Sequence, residues 1–162
     1  LAGISLQLVA QEVPDKVAKL IFLSALILED NKSVVDSFSH KTKEYYESIF
    51  ETQEQFIASY EVSRDRFFND LSEEDAKKYY GLLRKQPKAS YLEKPDLRKF
   101  YKLIDEFDST YIVCQKDKAF NEERQLQFTR GIAAKVEKIN TGHEAMLVDP
   151  QGLSDIINTI VS

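Results

Sequence analysis

The chain has one cysteine, no tryptophan, five glycines and four prolines in 162 residues. A single cysteine cannot close an internal disulfide. That leaves a reducing compartment or a disulfide-free exported protein, the first being the commoner, so a cytoplasmic location is the expectation. The two histidines, His40 and His143, are far apart and no cysteine cluster accompanies them, so no metal-ligand spacing is present and neither metal nor cofactor is expected. Cations are not in excess. Lys and Arg number 22 against 27 Asp and Glu, a net charge of −5, which argues against nucleic acid or an anionic membrane as partner, since both require clustered positive charge. No apolar run approaches the roughly 18 residues of a spanning helix.

What is present suffices for a packed domain, because 43% of the residues are hydrophobic. Leu1, Ile4, Leu8 and Val9 form a helical stripe that stops before Pro14 and begins without a capping residue. Val17 to Leu28, with Leu20-Ile21-Phe22-Leu23 at its centre, reads as a parallel strand covered on both faces. From Glu29 to Phe107 the texture is charged and aromatic. Tyr46, Ile49, Phe50, Phe56, Ile57 and Tyr60 fall at helical spacing, and Ser72 with Asp75 signals the cap of a helix that puts Ala76, Tyr79, Tyr80 and Leu83 on one face. Pro87 and Pro95 bracket the next stretch as loop. No glycine lies between Gly3 and Gly81, so the block lacks the turn chemistry of a sheet and reads as a helical insertion.

Tyr111 to Cys114 is a second buried strand. Asn121, with Glu122 and Glu123, opens a helix running to Gly131. Lys135 to Ile139 is a third strand, and Asp149-Pro150 opens a last helix with Leu153, Ile156, Ile157, Ile160 and Val161 on one face. Three parallel strands with this much helix leave a sheet edge open. A further segment of sheet before Leu1 is therefore expected as the partner that closes it.

Asp117 comes after the second strand and His143 after the third, and working residues in open α/β sheets sit at the carboxyl ends of strands. The chemistry calls for such a pair: a neutral imidazole takes a proton from a nucleophile, and a carboxylate on its other nitrogen fixes the tautomer and stabilises the imidazolium. An acid after one strand and a histidine after the next is the chain order of α/β-hydrolases. Both residues read equally as a solvated loop charge and a surface histidine until their geometry is known.

Leu1-Ala2-Gly3 through Val13-Pro14-Asp15-Lys16-Val17 to Phe22-Leu23-Ser24-Ala25 resembles the helix and strand after the nucleophile elbow in α/β-hydrolases of the plant methylesterase and hydroxynitrile-lyase type and their bacterial relatives. Tyr111 to Phe120 and Thr141-Gly142-His143 resemble the acid and histidine segments of that family. Phe67-Phe68-Asn69-Asp70 with Ser72-Glu73-Glu74-Asp75 is similar to a cap segment of its bacterial members. The resemblance implies an α/β fold, the C-terminal portion of an α/β-hydrolase with a parallel sheet flanked by helices. Residues 1–28 would hold the nucleophile helix and the next core strand, 29–107 a helical cap, and 108–162 the C-terminal core with the acid and histidine loops. It implies a serine directly before Leu1, with Asp117 as acid, His143 as base and the Leu1 backbone N–H as one oxyanion donor, and hydrolysis of a small carboxylic ester without a cofactor. Ala2 stands where the elbow motif has its second glycine, and alanine is the smallest replacement.

Three other readings compete. The lyases of this family carry a lysine after the histidine; this chain has Glu144, and an acidic group disfavours a departing cyanide anion. A non-catalytic small-molecule receptor could keep the same fold and pocket. Cys114 paired with His143 would make a thiol nucleophile, against its place inside a buried strand. His40, among Ser39, Lys41 and Thr42, reads as a surface residue. Phe67 and Phe68 are the candidates for lining an acyl pocket, and a homodimer is left open.

Overall fold

The computed structural model describes residues 1–162. In chain order its elements are α1 (Ala2–Glu12), β1 (Lys19–Leu23), α2 (His40–Thr52), β2 (Gln55–Phe56), α3 (Tyr60–Arg66), α4 (Glu73–Tyr80), β3 (Gln86–Pro87), α5 (Ala89–Leu92), α6 (Arg98–Leu103), β4 (Asp108–Cys114), α7 (Glu122–Gly131), β5 (Lys135–Ile139), α8 (Ala145–Val148) and α9 (Pro150–Val161). The main sheet is parallel, in the order β1-β4-β5. Alternation along each strand splits its residues between two faces. Leu20, Phe22, Tyr111 and Val113 join Ala10, Phe100, Phe128 and Ile132 on one side. Ile112, Cys114 and Ile139 pack with Ala145 and Leu153 on the other, with Ile21 and Leu23 at the margin. Both faces are covered, as the apolar runs require.

Local chemistry starts most helices where the sequence does. Asn121 Oδ1 accepts from Arg124 N–H at 2.9 Å, Ser72 Oγ from Asp75 N–H at 3.0 Å, and Asp149 Oδ1 from Gly152 N–H at 2.9 Å, each satisfying a first-turn donor that the helix leaves free. The first strand is shorter than its apolar run. It ends at Leu23 because Ser24 turns to φ +40°, and Leu26, Ile27 and Leu28 are buried in the loop beyond rather than in the sheet. Gly3 lets α1 approach that loop, since a Cβ there would collide with the Leu26 carbonyl oxygen.

The segment between β1 and β4 carries α2 to α6 together with one short antiparallel ladder. The stripe through Phe56, Ile57 and Tyr60 is not one helix: α2 stops at Thr52, Gln55–Phe56 pairs antiparallel with Gln86–Pro87, and Ser59 caps a new helix by accepting from Val62 N–H. Tertiary packing outweighs the spacing, because Phe56 meets the rings of Tyr46, Phe50 and Tyr91 at 5.1 to 6.3 Å. Residues after Pro87 include the short helix α5 rather than loop alone, and Leu83 lies beyond the end of α4, exposed. No helix is long and apolar enough to cross a membrane.

Candidate active site

The loops after β4 and β5 leave the sheet side by side. Beyond the last strand pair, Cys114 with Ile139, they remain bonded: Gln115 N–H donates to Ile139 O at 3.0 Å and Lys116 N–H to Thr141 O at 2.9 Å. Asp117 comes directly after this pair and His143 one residue further out, past Gly142. The structure brings them together, with His143 Nδ1 2.7 Å from Asp117 Oδ2. The Asp117 side chain is fully buried and the His143 ring 22% exposed, so the carboxylate is hidden and the ring has one accessible side.

Every lone-pair direction of the Asp117 carboxylate is engaged. Oδ1 accepts from Ala119 N–H at 2.6 Å and Phe120 N–H at 3.1 Å, while Oδ2 accepts from Ser24 Oγ–H as well as from His143. An acceptor-only group fixed by four donors cannot rotate away from the ring. With Nδ1–H donating to Asp117, the neutral imidazole presents an unprotonated Nε2. The loop itself is stapled by buried Gln125, whose Oε1 accepts from Cys114 N–H and whose Nε2 donates to the carbonyls of Cys114 and Phe120, at 2.7 to 2.9 Å.

Ser24 escaped the sequence reading as a site residue. It is 2% exposed, and its backbone N–H continues the β1–β4 ladder to Ile112 O at 3.0 Å. Serine, aspartate and histidine thus meet, but not in nucleophilic order. Ser24 Oγ lies 3.5 Å from Nδ1, the nitrogen already committed to Asp117, whereas a nucleophile must face the free Nε2. Its left-handed backbone is costly for a non-glycine residue and is held in place at the strand end. The signal that could have found it is its position, one residue past the carboxyl end of a core strand.

Of the two phenylalanines named from sequence, Phe67 reaches the site: its ring stands edge-on to His143 with centroids 5.2 Å apart. Phe68 does not offer a surface there, being 2% exposed. Phe120 flanks the histidine at 6.4 Å. Glu144 sits beside this group, and burial pushes its carboxyl above the ordinary range, with Asp117 adding to the effect and His143 opposing it. Leu1 lies at the N-terminal end of α1. It is 43% exposed as a residue.

Cys114 is fully buried in β4, and burial pushes its thiol up to about 11, which removes the thiolate a nucleophile requires. His40 is a surface residue whose 87% exposed side chain stands 3.5 Å from Glu44.

No protein-family model matches the sequence, and no curated protein does. Solved structures do. The chain has the α/β-hydrolase fold. It superposes on an extracellular α/β-hydrolase from a Paenibacillus species, described as sharing structural and functional homology with tobacco salicylic acid binding protein 2, with a TM-score of 0.88 at 22% identity, over 98% of this chain and 67% of that one. Polyneuridine aldehyde esterase gives 0.72 at 22% identity over 99% and 68%, and a methylesterase from Arabidopsis 0.72 at 17% over 98% and 65%. The chain thus spans about two thirds of the length of each.

Proposed function

We propose that this chain carries the acid and the base of a serine hydrolase acting on small carboxylic esters, with the nucleophilic serine directly before Leu1. The observation that carries this reading is the 2.7 Å contact between His143 Nδ1 and a carboxylate locked by its other donors, which leaves Nε2 as the base. The serine Oγ attacks the ester carbonyl carbon while Nε2 takes its proton. The negative oxygen of the tetrahedral intermediate is held by the Leu1 N–H, at the N-terminal end of α1, and by a second donor earlier in the chain. When the intermediate collapses, the departing alkoxide takes the proton from Nε2, and water then repeats the sequence on the acyl-enzyme. Asp117 keeps the imidazole in the required tautomer throughout. Phe67 forms one wall beside the histidine, and residues 29–107 act as a cap. Two of the superposed proteins are esterases by name, which agrees with this chemistry.

The test is active-site labelling of the full-length protein with a fluorophosphonate, followed by mapping of the modified peptide. The expected adduct is on a serine adjoining Leu1, together with hydrolysis of p-nitrophenyl acetate. An adduct elsewhere, or neither adduct nor hydrolysis, rejects the proposal, and retained ligand binding in the second case would favour a receptor.

A further inference from the structure

The loops that carry Asp117 and His143 are both tied to one dipeptide of the segment between β1 and β4. Asn69 Nδ2 donates to the Lys116 carbonyl at 3.0 Å, and Gly142 N–H donates to Asp70 Oδ2. Lys116 precedes the acid and Gly142 precedes the histidine. The approach is close: a Cβ at 142 would lie 2.5 Å from Asp70 Oδ1 and 2.7 Å from Asn69 Oδ1, so a side chain there would displace both. The dipeptide is itself fixed. It sits in the middle of a turn closed by Leu71 N–H to Phe68 O at 3.1 Å, and Arg64 clasps both flanking carbonyls, Nη1 donating to Phe68 O and Nη2 to Leu71 O at 3.2 Å. Arg64 Nε is in turn held by Glu73 at 3.4 Å.

We infer that Asn69 and Asp70 are positioning residues, which set the spacing and orientation of Asp117 and His143 by gripping the peptide groups immediately before each. The inference rests on the acid and base roles proposed above. Its physical ground is that proton transfer depends steeply on geometry. A displacement of about 1 Å originating away from the chemistry can cost about 10²-fold in rate; Ser24 and Gln125 already brace the acid loop, and the Asn69 and Asp70 grips fix both loops to one further point. Adjacent residues on a clasped turn resist displacement because neither grip can move without the other. Lys118, one residue past the acid, also meets this segment, but Lys118 Nζ and Asp65 Oδ1 pair at 3.0 Å with both side chains more than half exposed, a geometry worth little.

The experiment uses the full-length protein, with p-nitrophenyl acetate as the probe for kcat and KM and the downfield proton resonance of His143 Nδ1–H, assigned by its loss in His143→Ala, as a readout independent of turnover. Asn69→Ala and Asp70→Ala are each expected to lower kcat about 10- to 100-fold with KM changed less than about twofold, and to shift or broaden the resonance. Asp70→Asn, whose amide oxygen can still accept from Gly142 N–H, is expected to recover most of kcat. Asp65→Ala is expected to change neither readout. Wild-type kcat and an unmoved resonance in both alanine variants would overturn the inference, as would an Asp70→Asn protein as impaired as Asp70→Ala. If Asp70→Ala does not fold, Asn69→Ala carries the comparison. If the wild type hydrolyses no ester, the proposed function fails, and the resonance alone decides the positioning role: moved in the alanine variants, it stands; unmoved, it falls.

Discussion

Ser24 and His143 share a single oxygen of Asp117: the serine hydroxyl and the imidazole Nδ1–H both donate to Oδ2, although Ser24 lies 93 residues from the aspartate and 119 from the histidine. The serine therefore braces the acid from the side opposite Nε2. Ser24→Ala should leave a folded protein whose kcat on a small activated ester falls by about 10- to 100-fold, in line with the roughly 1.5–3 kcal/mol of a hydrogen bond to a charged group. Were Ser24 the nucleophile, the loss would be on the order of 10⁴ to 10⁶. Steady-state kinetics on the full-length variant separate the two, and a loss of the larger size in a folded protein would remove Ser24 from the bracing role.

The base and its orienting acid should behave unequally. His143→Ala should abolish nearly all turnover, because a serine hydroxyl without a base is a very weak nucleophile. Asp117→Asn should cost about 10⁴ in kcat. Its amide can donate to Nδ1 and so favours the tautomer with the proton on Nε2. A dichroism spectrum close to wild type, measured beside the rates, is expected for the isosteric change. Unimpaired hydrolysis by His143→Ala would end the assignment.

Asp117 was legible in the sequence because it comes after a strand with a clear apolar run, and His143 because a shorter strand, read from Lys135 to Ile139 as the structure has it, comes before it. Ser24 was not legible. Its role depends on β1 lying beside β4 with Leu23 opposite Ile112, a register set by packing between distant segments rather than by local pattern. Asn69 and Asp70 were visible as part of a motif, but their partners lie 47 and 72 residues away. Phe67 and Phe68 could not be told apart, since only the turn after α3 decides which ring meets the histidine and which is buried. The helical stripe through Phe56 failed for a related reason: an aromatic cluster formed from three separate elements drew Phe56 out of any helix.

At the opposite end of the sheet, Asp108 joins all three strands, accepting from Lys19 and Lys135, each at 2.7 Å. The Lys135 and Lys19 hydrogen bonds hold its carboxyl down to about 2 from an ordinary 3.8. The unfolded chain binds this proton more readily, so the contribution is present above about pH 4 and disappears as the pH falls toward 2. Asp108→Asn should therefore melt below wild type at pH 7, by a small margin because the group is exposed to water, and the two curves should converge at pH 2. A difference that persists at pH 2 would mean the substitution acts through packing instead.

Glu144 should show the reverse dependence. Burial raises its carboxyl in the folded protein, with Asp117 nearby acting in the same direction, so the folded state holds the proton more tightly than the unfolded chain does. Between the ordinary carboxyl value and the raised one, folding takes up a proton. Stability falls as the pH rises through that window and stays lowered above it. Glu144→Gln keeps the shape and cannot ionise. It should melt above wild type at pH 7.5 and level with it near pH 3, below the ordinary carboxyl value, where both side chains are neutral in either state. The midpoints of thermal unfolding at the two pH values decide the matter. A variant less stable than wild type at pH 7.5 would show that the ionised carboxylate makes a favourable contact beside His143 that outweighs the burial of its charge.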